Sequence, residues 1–204
     1  MFSKKEILSN LLGCFEIMIF MPRGVERFSS RREDAIKSFI WPAIFSPVAL
    51  FAFSFHSTGF SLPLLMLLHG GRMLLETFLF LGVVYLFCRH CNRQENFYQV
   101  VTAGNWLEIP FFILVLPIVV SLVFSGSGLE LGDGWTTSHY QIVGFFATYS
   151  VFITLAGYVY TAFILTHILR LPWELCGAVA IFGLGIDETL MDATVMLRDY
   201  LAAA

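Results

Sequence analysis

Charged residues are scarce in this sequence, and familiar catalytic motifs are missing from it. Asp, Glu, Lys and Arg make up 13% of the 204 residues, against roughly 25% in a typical protein. This shortage argues against a soluble globular domain. Glycine-rich phosphate loops, zinc-hydrolase motifs and serine-hydrolase motifs are also missing, and nothing resembles a nucleic-acid-binding motif. We therefore expect a non-enzymatic protein that needs no cofactor and binds no nucleic acid.

Cysteines are few, and only one pair has the spacing of metal ligands. Cys88 and Cys91 form a C-x-x-C pair with His90 between them, whereas Cys14 and Cys176 are isolated in the sequence. A structural zinc site needs about four ligands, so we predict no metal site. Cysteines at a membrane edge are alternatively acylated or chemically inert.

A cleavable signal peptide is also not evident. Charges at Lys4, Lys5, Glu6 and Glu16 interrupt the first 20 residues, so no apolar core leads to a small-residue cleavage site. We expect the first spanning helix to act as its own insertion signal. None of the four Asn begins an N-x-S/T glycosylation site, which agrees with a bacterial protein.

Apolar residues are abundant and occur in long runs. They make up 57% of the sequence, with 22 Phe, and the mean hydropathy is +0.77. Runs of this length predict an all-α fold, a polytopic transmembrane helical bundle of five spanning helices. A cytoplasmic basic and amphipathic segment, 1–34, precedes the transmembrane domain, 35–204. The predicted spans are about 35–55, 62–88, 100–124, 139–169 and 172–196.

Positive charge is distributed unequally between the two sides of these spans. Seven of the twelve Lys and Arg lie before residue 40, and Arg89, Arg93 and Arg170 flank later spans. The loop 125–138 has acids but no base. The positive-inside rule therefore predicts a cytoplasmic N-terminus and a periplasmic C-terminus in a bacterial inner membrane.

The N-terminal segment has the pattern of a helix that lies on a membrane. Over residues 3–21, Ile7, Leu11, Phe15 and Ile19 recur every four residues, and Pro22 then ends the pattern. Such a helix favours the cytoplasmic interface. We expect its basic residues to contact anionic lipid headgroups. These residues are Lys4, Lys5, Arg23, Arg27, Arg31 and Arg32.

Two local patterns concern the ends of spans. Ser30 and Glu33 have the spacing of a capping box that begins the first spanning helix. In the fifth helix, Gly183 and Gly185 precede several acids. That helix either continues to about Met196 or breaks near these glycines.

Ionisable and polar residues within the spans need a physical explanation, since each costs about 2.5–3.5 kcal/mol at the membrane centre. Their spacing places those of the second and third spans on single helix faces. The candidate network consists of His69, Arg72, Glu76, Asn105, Glu108, Asp187, Glu188 and Asp192. One interpretation is an ion-pair network that fixes helices two and three in register. The other is a polar cavity in which the carboxylates handle protons or cations.

The layout resembles the Yip1-like family of small five-helix membrane proteins. The resemblance rests on the cytoplasmic N-terminal segment, the five closely spaced helices, the stretch from Phe97-Tyr98 through Asn105 to Pro110, and the last helix carrying Asp187. It implies a non-enzymatic protein that works through partners. The Asp-Leu-Tyr-Gly-Pro type signature of eukaryotic members is absent, so their trafficking functions are not carried over. A bacterial inner-membrane relative fits better.

Two functions follow from these patterns. The first is a scaffold or regulator of another membrane component, which acts through a membrane-protein partner or through self-association. The second is a small transporter or proton-coupled permease that uses Arg72, Glu76 and Glu108. Without a convincing inverted repeat, a five-helix chain is small for alternating access unless it dimerises.

Overall fold

The computed structural model describes residues 2–54, 62–126 and 137–203. Every regular element in these ranges is helical. Seven α-helices and two short 3₁₀ helices follow one another in this order: α1 (Lys4–Met18), 3₁₀ (Pro22–Arg27), α2 (Arg32–Ser38), α3 (Ile40–Ser54), α4 (Leu62–His90), 3₁₀ (Gln94–Asn96), α5 (Phe97–Gly126), α6 (Thr137–Leu169) and α7 (Trp173–Ala203).

Helices α3 to α7 form a ring. Helix α3 packs on α5, α5 on α6, α6 on α7, α7 on α4, and α4 back on α3. Within the described residues, three helical segments are long and apolar enough to cross a membrane: Pro63–His90, Gln94–Pro117 and Val151–Leu169. Large apolar side chains such as Leu67, Phe78 and Phe152 are exposed on these segments, which is expected when lipid is the solvent.

The N-terminal cap, residues 2–31, covers one end of this ring. It contains α1 and the first 3₁₀ helix, which pack on each other and on α5 and α6. Its apolar core includes Cys14, Ile17, Val25 and Phe28, and it is continuous with buried Trp106 of α5. We refer to this end of the bundle as the cap end.

Three helices finish in the same way at the cap end. A residue with positive φ follows each of α1, α4 and α6, and the next N–H donates to a carbonyl five residues back, as in a Schellman motif. The residues with positive φ are Phe20 (57°), Asn92 (57°) and Arg170 (55°). The three closing bonds run from Met21 to Glu16, Arg93 to Cys88 and Leu171 to Thr166.

Several predicted element boundaries differ from the observed ones. The capping box at Ser30 and Glu33 is wrong, because α2 begins after Arg31 and has no side-chain cap. A capping box is found instead at Ser3 and Glu6 of α1. The first predicted span, 35–55, is divided at Phe39 into α2 and α3. The loop 127–136 and the turn 55–61 lie outside the described residues.

The last helix resolves an alternative that the sequence leaves open. Helix α7 is continuous from Trp173 to Ala203 and does not break at Gly183 or Gly185. Its 31 residues would extend about 46 Å at 1.5 Å per residue. The helix is therefore longer than the roughly 30 Å hydrocarbon core of a bilayer. Its acids other than Glu174 lie from Asp187 onward.

Candidate functional site: a charged seam between α4 and α7

Arg72 is the centre of the charged site. Its Nη1 lies 2.6 Å from Asp187 Oδ1 on α7 and 3.6 Å from Glu76 Oε2 on its own helix. The Arg72 side chain is only 13% exposed, whereas those of Glu76 and Asp187 are 33% and 28% exposed. One largely buried cation therefore interacts with two partly exposed carboxylates. Close to this site, Phe80 of α4 also packs on Gly183 of α7. We call these two contacts together the α4–α7 seam.

Helix geometry explains why these groups meet. Arg72, Glu76 and Phe80 succeed one another at intervals of four along one face of α4. The two helices run antiparallel, so Gly183 of α7 faces Phe80. A Cβ on buried Gly183 would lie 2.7 Å from the Phe80 ring, and the missing side chain is what permits this approach. Asp187 follows Gly183 by one turn and reaches Arg72.

The seam lies far from the cap end. Arg72 is 18 residues from His90, and Asp187 is 14 residues from Trp173, which correspond to about 27 Å and 21 Å along the helices. A span is about 30 Å, so the seam would occupy the remote half of the membrane.

Other predicted network members lie around the seam without joining the ion pair. Glu108 on α5 is close enough to Glu76 for electrostatic interaction, yet its side chain is exposed. His69 is similarly close to Arg72. Glu188 and Asp192 are exposed on α7. Among the described residues, none of Glu108, Glu188 and Asp192 forms an ion pair.

The structure corrects two predictions about the network: that Asn105 belongs to it, and that it fixes helices two and three in register. The Asn105 amide donates to Ser38 Oγ of α2 at 2.9 Å, so it holds α5 to α2 rather than joining Arg72. The close partner of Arg72 on another helix is Asp187 of α7, not Glu108 of α5. The close ion pair therefore joins α4 to α7, not to α5.

Tyr158 of α6 is a neighbour of the site that the candidate network omits. It lies within electrostatic range of Asp187, Glu76, Glu188 and Arg72. Its position in a Ser/Thr/Tyr stripe on α6 is the sequence signal that could have identified it. Groups from α4, α5, α6 and α7 thus surround one charged region.

The basic residues of the N-terminal segment fall into two groups. Arg27 Nε and Nη2 each donate to a Glu16 carboxylate oxygen at 2.6 Å. Arg31 Nη2 lies 2.7 Å from Asp34 Oδ2. Within the described residues, no ion pair engages the other four predicted headgroup contacts, Lys4, Lys5, Arg23 and Arg32. Because Arg27 is bound to Glu16, it is not available to contact lipid headgroups.

These ion pairs perturb the pKa values of the acids in and next to the cap. The hydrogen bonds from Arg27 hold the pKa of Glu16 below its usual value, and those bonds raise the pKa of Arg27. Burial raises the pKa of Asp34, but hydrogen bonds from Ser29 and Arg31 outweigh it and leave the pKa lowered. Both carboxylates are therefore ionised at neutral pH.

The cap is joined to the bundle by directional contacts. The Tyr160 hydroxyl donates to the Met18 carbonyl at 2.9 Å, and Phe20 stacks on the Tyr160 ring at 5.1 Å. With its amide oriented to satisfy both neighbours, buried Asn10 accepts from Trp106 Nε1 at 3.1 Å and donates to the Arg27 carbonyl at 3.2 Å. These contacts fix one face of α1 and leave the opposite face open.

The open face of α1 is apolar. Leu8 and Phe15 are 71% and 60% exposed, and Leu11 and Ile19 of the predicted stripe are exposed as well. The buried face consists of other residues, namely Asn10, Gly13, Cys14 and Ile17. Helix α1 is therefore apolar on two sides, one against the bundle and one uncovered.

The cysteines do not form a metal centre in the part of the chain that the structure describes. No group of three or more His, Cys, Asp or Glu side chains there is arranged to hold a metal ion. Cys88 and Cys176 are buried, and Cys91 is partly exposed. Burial raises the pKa of the Cys14 thiol to about 12, which makes that thiol unreactive in the folded protein.

Comparisons of the chain with protein-family models, with curated proteins and with solved structures gave no match. The Yip1-like resemblance therefore stays a prediction.

Proposed function

We propose that this chain is a non-enzymatic, multi-pass inner-membrane protein that serves as a scaffold or regulator of another membrane component. In this proposal α3 and α7 cross the bilayer together with α4, α5 and α6. The N-terminus is cytoplasmic and the C-terminus periplasmic. The open apolar face of α1 lies in the inner leaflet, where Lys4, Lys5, Arg23 and Arg32 meet anionic headgroups. This organisation is similar to that of Yip1-like proteins.

The observation that supports the proposal is the exposed carboxylate of Glu188, which would lie at membrane depth if α7 crosses the bilayer. It lies 15 residues from the start of α7, about 22 Å along the helix, and no ion pair engages it among the described residues. A charged group exposed to hydrocarbon is costly. A polar surface on another membrane protein, or on a second copy of the chain, would remove that cost.

A pull-down from native membranes in gentle detergent, followed by mass spectrometry, tests this proposal. We expect the wild type to retain a stoichiometric partner or a second copy, and the Glu188→Gln variant to lose it. Asp199→Asn is the matched control, because Asp199 is an exposed acid of the same helix that already pairs with Arg198 at 2.8 Å. A solitary wild-type protein, or a partner retained equally by both variants, would refute the proposal.

The excess of acids around Arg72 favours a second candidate, a small transporter or proton-coupled permease. Glu108 is close to Glu76 and forms no ion pair among the described residues, so in the described part of the chain no cation is bound to it. Flux in proteoliposomes should then fall in Glu76→Gln and Glu108→Gln while both variants remain folded. Glu174→Gln, which removes an exposed acid near the start of α7, is the control. Unchanged flux in all three variants would eliminate this candidate.

A further inference from the structure

A polar pocket lies at the cap end, away from the charged seam. Its volume is about 480 Å³, within the range of sites for small molecules. Three parts of the chain form its walls: the first 3₁₀ helix, residues 93–99 and the end of α6. The polar side chains that line it are Glu26, Arg93, Asn96, Gln99, His167 and Arg170.

The pocket has an excess of uncommitted positive charge. Arg93 and Arg170 both line it and are exposed, and neither forms an ion pair within residues 2–54, 62–126 and 137–203. This differs from Arg27 and Arg31 of the cap, which are bound by carboxylates. Glu26 is the single acid among the lining residues that the structure describes. The pocket therefore favours an anion.

Hydrogen bonds hold the walls of the pocket in place. Asn96 Nδ2 donates to the Ile168 carbonyl at 3.0 Å, and Gln99 Nε2 donates to the Val25 carbonyl at 2.9 Å. The first bond joins the second 3₁₀ helix to the end of α6, and the second joins the start of α5 to the first 3₁₀ helix. Because these contacts are intramolecular, the pocket is formed before any ligand arrives, which lowers the entropic cost of binding.

The backbone at Arg170 has a conformation that residues with a side chain seldom adopt. Its φ of 55° is unfavourable for any residue with a Cβ, and glycine is preferred at such a helix end. Among the other two helix ends, Asn92 is of a type that tolerates this conformation, and Phe20 stacks on Tyr160. At Arg170 the hydrogen bond from the Leu171 N–H to the Thr166 carbonyl holds this conformation. Strain of this kind is often retained at binding sites.

We propose that this pocket binds a phosphate group, carried either by an anionic lipid headgroup or by a soluble phosphate ester. Two guanidinium groups offer paired N–H donors that match phosphate oxygens better than ammonium groups do. The pocket also lies where the apolar segments ending at His90 and Leu169 stop, which is the level of lipid phosphates if these segments span the membrane. The proposal concerns a different face from the charged seam and does not depend on its function.

Titration of the purified full chain in a phosphate-free maltoside detergent tests the proposal. One probe is dihexanoyl phosphatidic acid, a lipid headgroup on short chains, and the other is glycerol 3-phosphate. Binding is followed by isothermal titration calorimetry, and folding of each variant by thermal unfolding. Tighter binding of dihexanoyl phosphatidic acid identifies a lipid site. Equal affinity for the two probes shows that the phosphate ester binds without the acyl chains.

Four variants make the result specific to the pocket. Arg93→Gln and Arg170→Gly should each raise Kd roughly tenfold or more, since hydrogen bonds to charged groups are among the strongest. Arg170→Gly should nevertheless unfold at the same or a higher temperature, because glycine suits the positive φ. Glu26→Gln should lower Kd, an effect that misfolding does not produce. Arg89 lies in the last turn of α4, at the cap end but outside the pocket. Arg89→Gln should therefore change Kd little.

Two results would overturn the proposal. The first is the failure of both probes to bind the wild-type protein. The second is an equal loss of affinity in Arg89→Gln and Arg170→Gly, which would indicate nonspecific attraction to a basic surface.

Discussion

The N-terminal cap and the α4–α7 seam differ in how their charges are balanced. In the cap, Glu16 has a cation of its own in Arg27, held by two bonds of 2.6 Å. In the seam, Arg72 alone serves Asp187 and Glu76, and Glu108 and Glu188 lie nearby without ion pairs in the described residues. The Glu16–Arg27 pair is therefore neutral by itself, whereas the seam has more acids than cations. The recognition or transport that we propose for the seam would use this surplus.

The largest expected effect is on the seam, from removal of its cation. Arg72→Met leaves Asp187 and Glu76 together without a counter-charge, and loss of one partner of a buried pair costs about 3–5 kcal/mol. We expect the low end, about 3 kcal/mol, because both acids are partly exposed. Equilibrium unfolding in mixed micelles measures it.

A double variant distinguishes loss of the ion pair from loss of packing. Arg72→Met combined with Asp187→Asn removes both charges of the close pair and should recover part of the lost stability. If the double variant is as unstable as the sum of the two single ones, the ion pair does not hold α4 to α7.

The cap should be the next most sensitive region, because its backbone segments touch. A Cβ on Gly24 would lie 2.7 Å from the Gly13 carbonyl oxygen and 2.9 Å from the Ile17 nitrogen. Backbone atoms cannot move aside as a side chain does, so we expect Gly24→Ala to cost about 2 kcal/mol. Thermal unfolding in detergent measures the loss.

Gly104→Ala is the matched control for this variant. Gly104 is exposed within α5, and a methyl group added to it would have no neighbouring atom within 4 Å. Alanine is the better helix former by up to about 1 kcal/mol, so this variant should be neutral or slightly stabilised. Destabilisation of both variants by the same amount would mean that close backbone approach is not what stabilises the cap.

The positions of the helices could largely be predicted from the sequence. The second span was expected at about 62–88, and α4 covers Leu62–His90; the third and fourth, at about 100–124 and 139–169, agree equally well with α5 and α6. Apolar run length and flanking charge set these limits locally. The break at Phe39 is not predicted, because apolar run length does not show that the Phe39 N–H donates to the Ile36 carbonyl and ends α2.

The sequence predicts which residues belong to the site, but not which of them contact one another across helices. Arg72 and Glu76 are an i,i+4 pair, so their proximity is a local property of the helix. Asp187 is 115 positions from Arg72 along the chain, and its role depends on which helices are neighbours in the ring. The pocket at the cap end likewise combines three distant segments. The sequence shows its arginines as charges that flank the spans, but their convergence is a property of the tertiary structure.

A smaller loss of stability is expected in the seam from Gly183→Ala, because the added methyl group would meet a side chain and not backbone. A Cβ on Gly183 would meet only the Phe80 ring, at 2.7 Å, and a ring can shift. We therefore expect Gly183→Ala to cost about 1 kcal/mol, less than Gly24→Ala. Gly185→Ala, two residues away with nothing within 4 Å, is the control and should lose nothing. Unfolding in mixed micelles compares the two, and equal stability would show that α7 does not pack through Gly183.

The smallest expected effect is a pH dependence confined to the cap. Because the hydrogen bonds from Arg27 lower the pKa of Glu16 below its usual value of 4.5, the ion pair contributes its full stability above that value. The contribution is lost as the pH falls through the lowered pKa, when the folded carboxylate takes up a proton. The pKa of Asp34 is lowered as well, so its contribution to stability is also lost in acid. The cap should therefore loosen in acid while the bundle stays folded.

Accessibility of Cys14 reports this loosening, since that thiol is buried in the cap core. In a variant with Cys14 as its single cysteine, labelling by dithiodipyridine, which reacts in acid, should be faster below about pH 4 than at pH 6. Adding Glu16→Gln should raise labelling at pH 6 and flatten the profile, because the amide cannot form the charged pair. A flat profile in the chain with Glu16 intact would show that the ion pair does not close the cap, and the contrast in charge balance between cap and seam would lose its structural meaning.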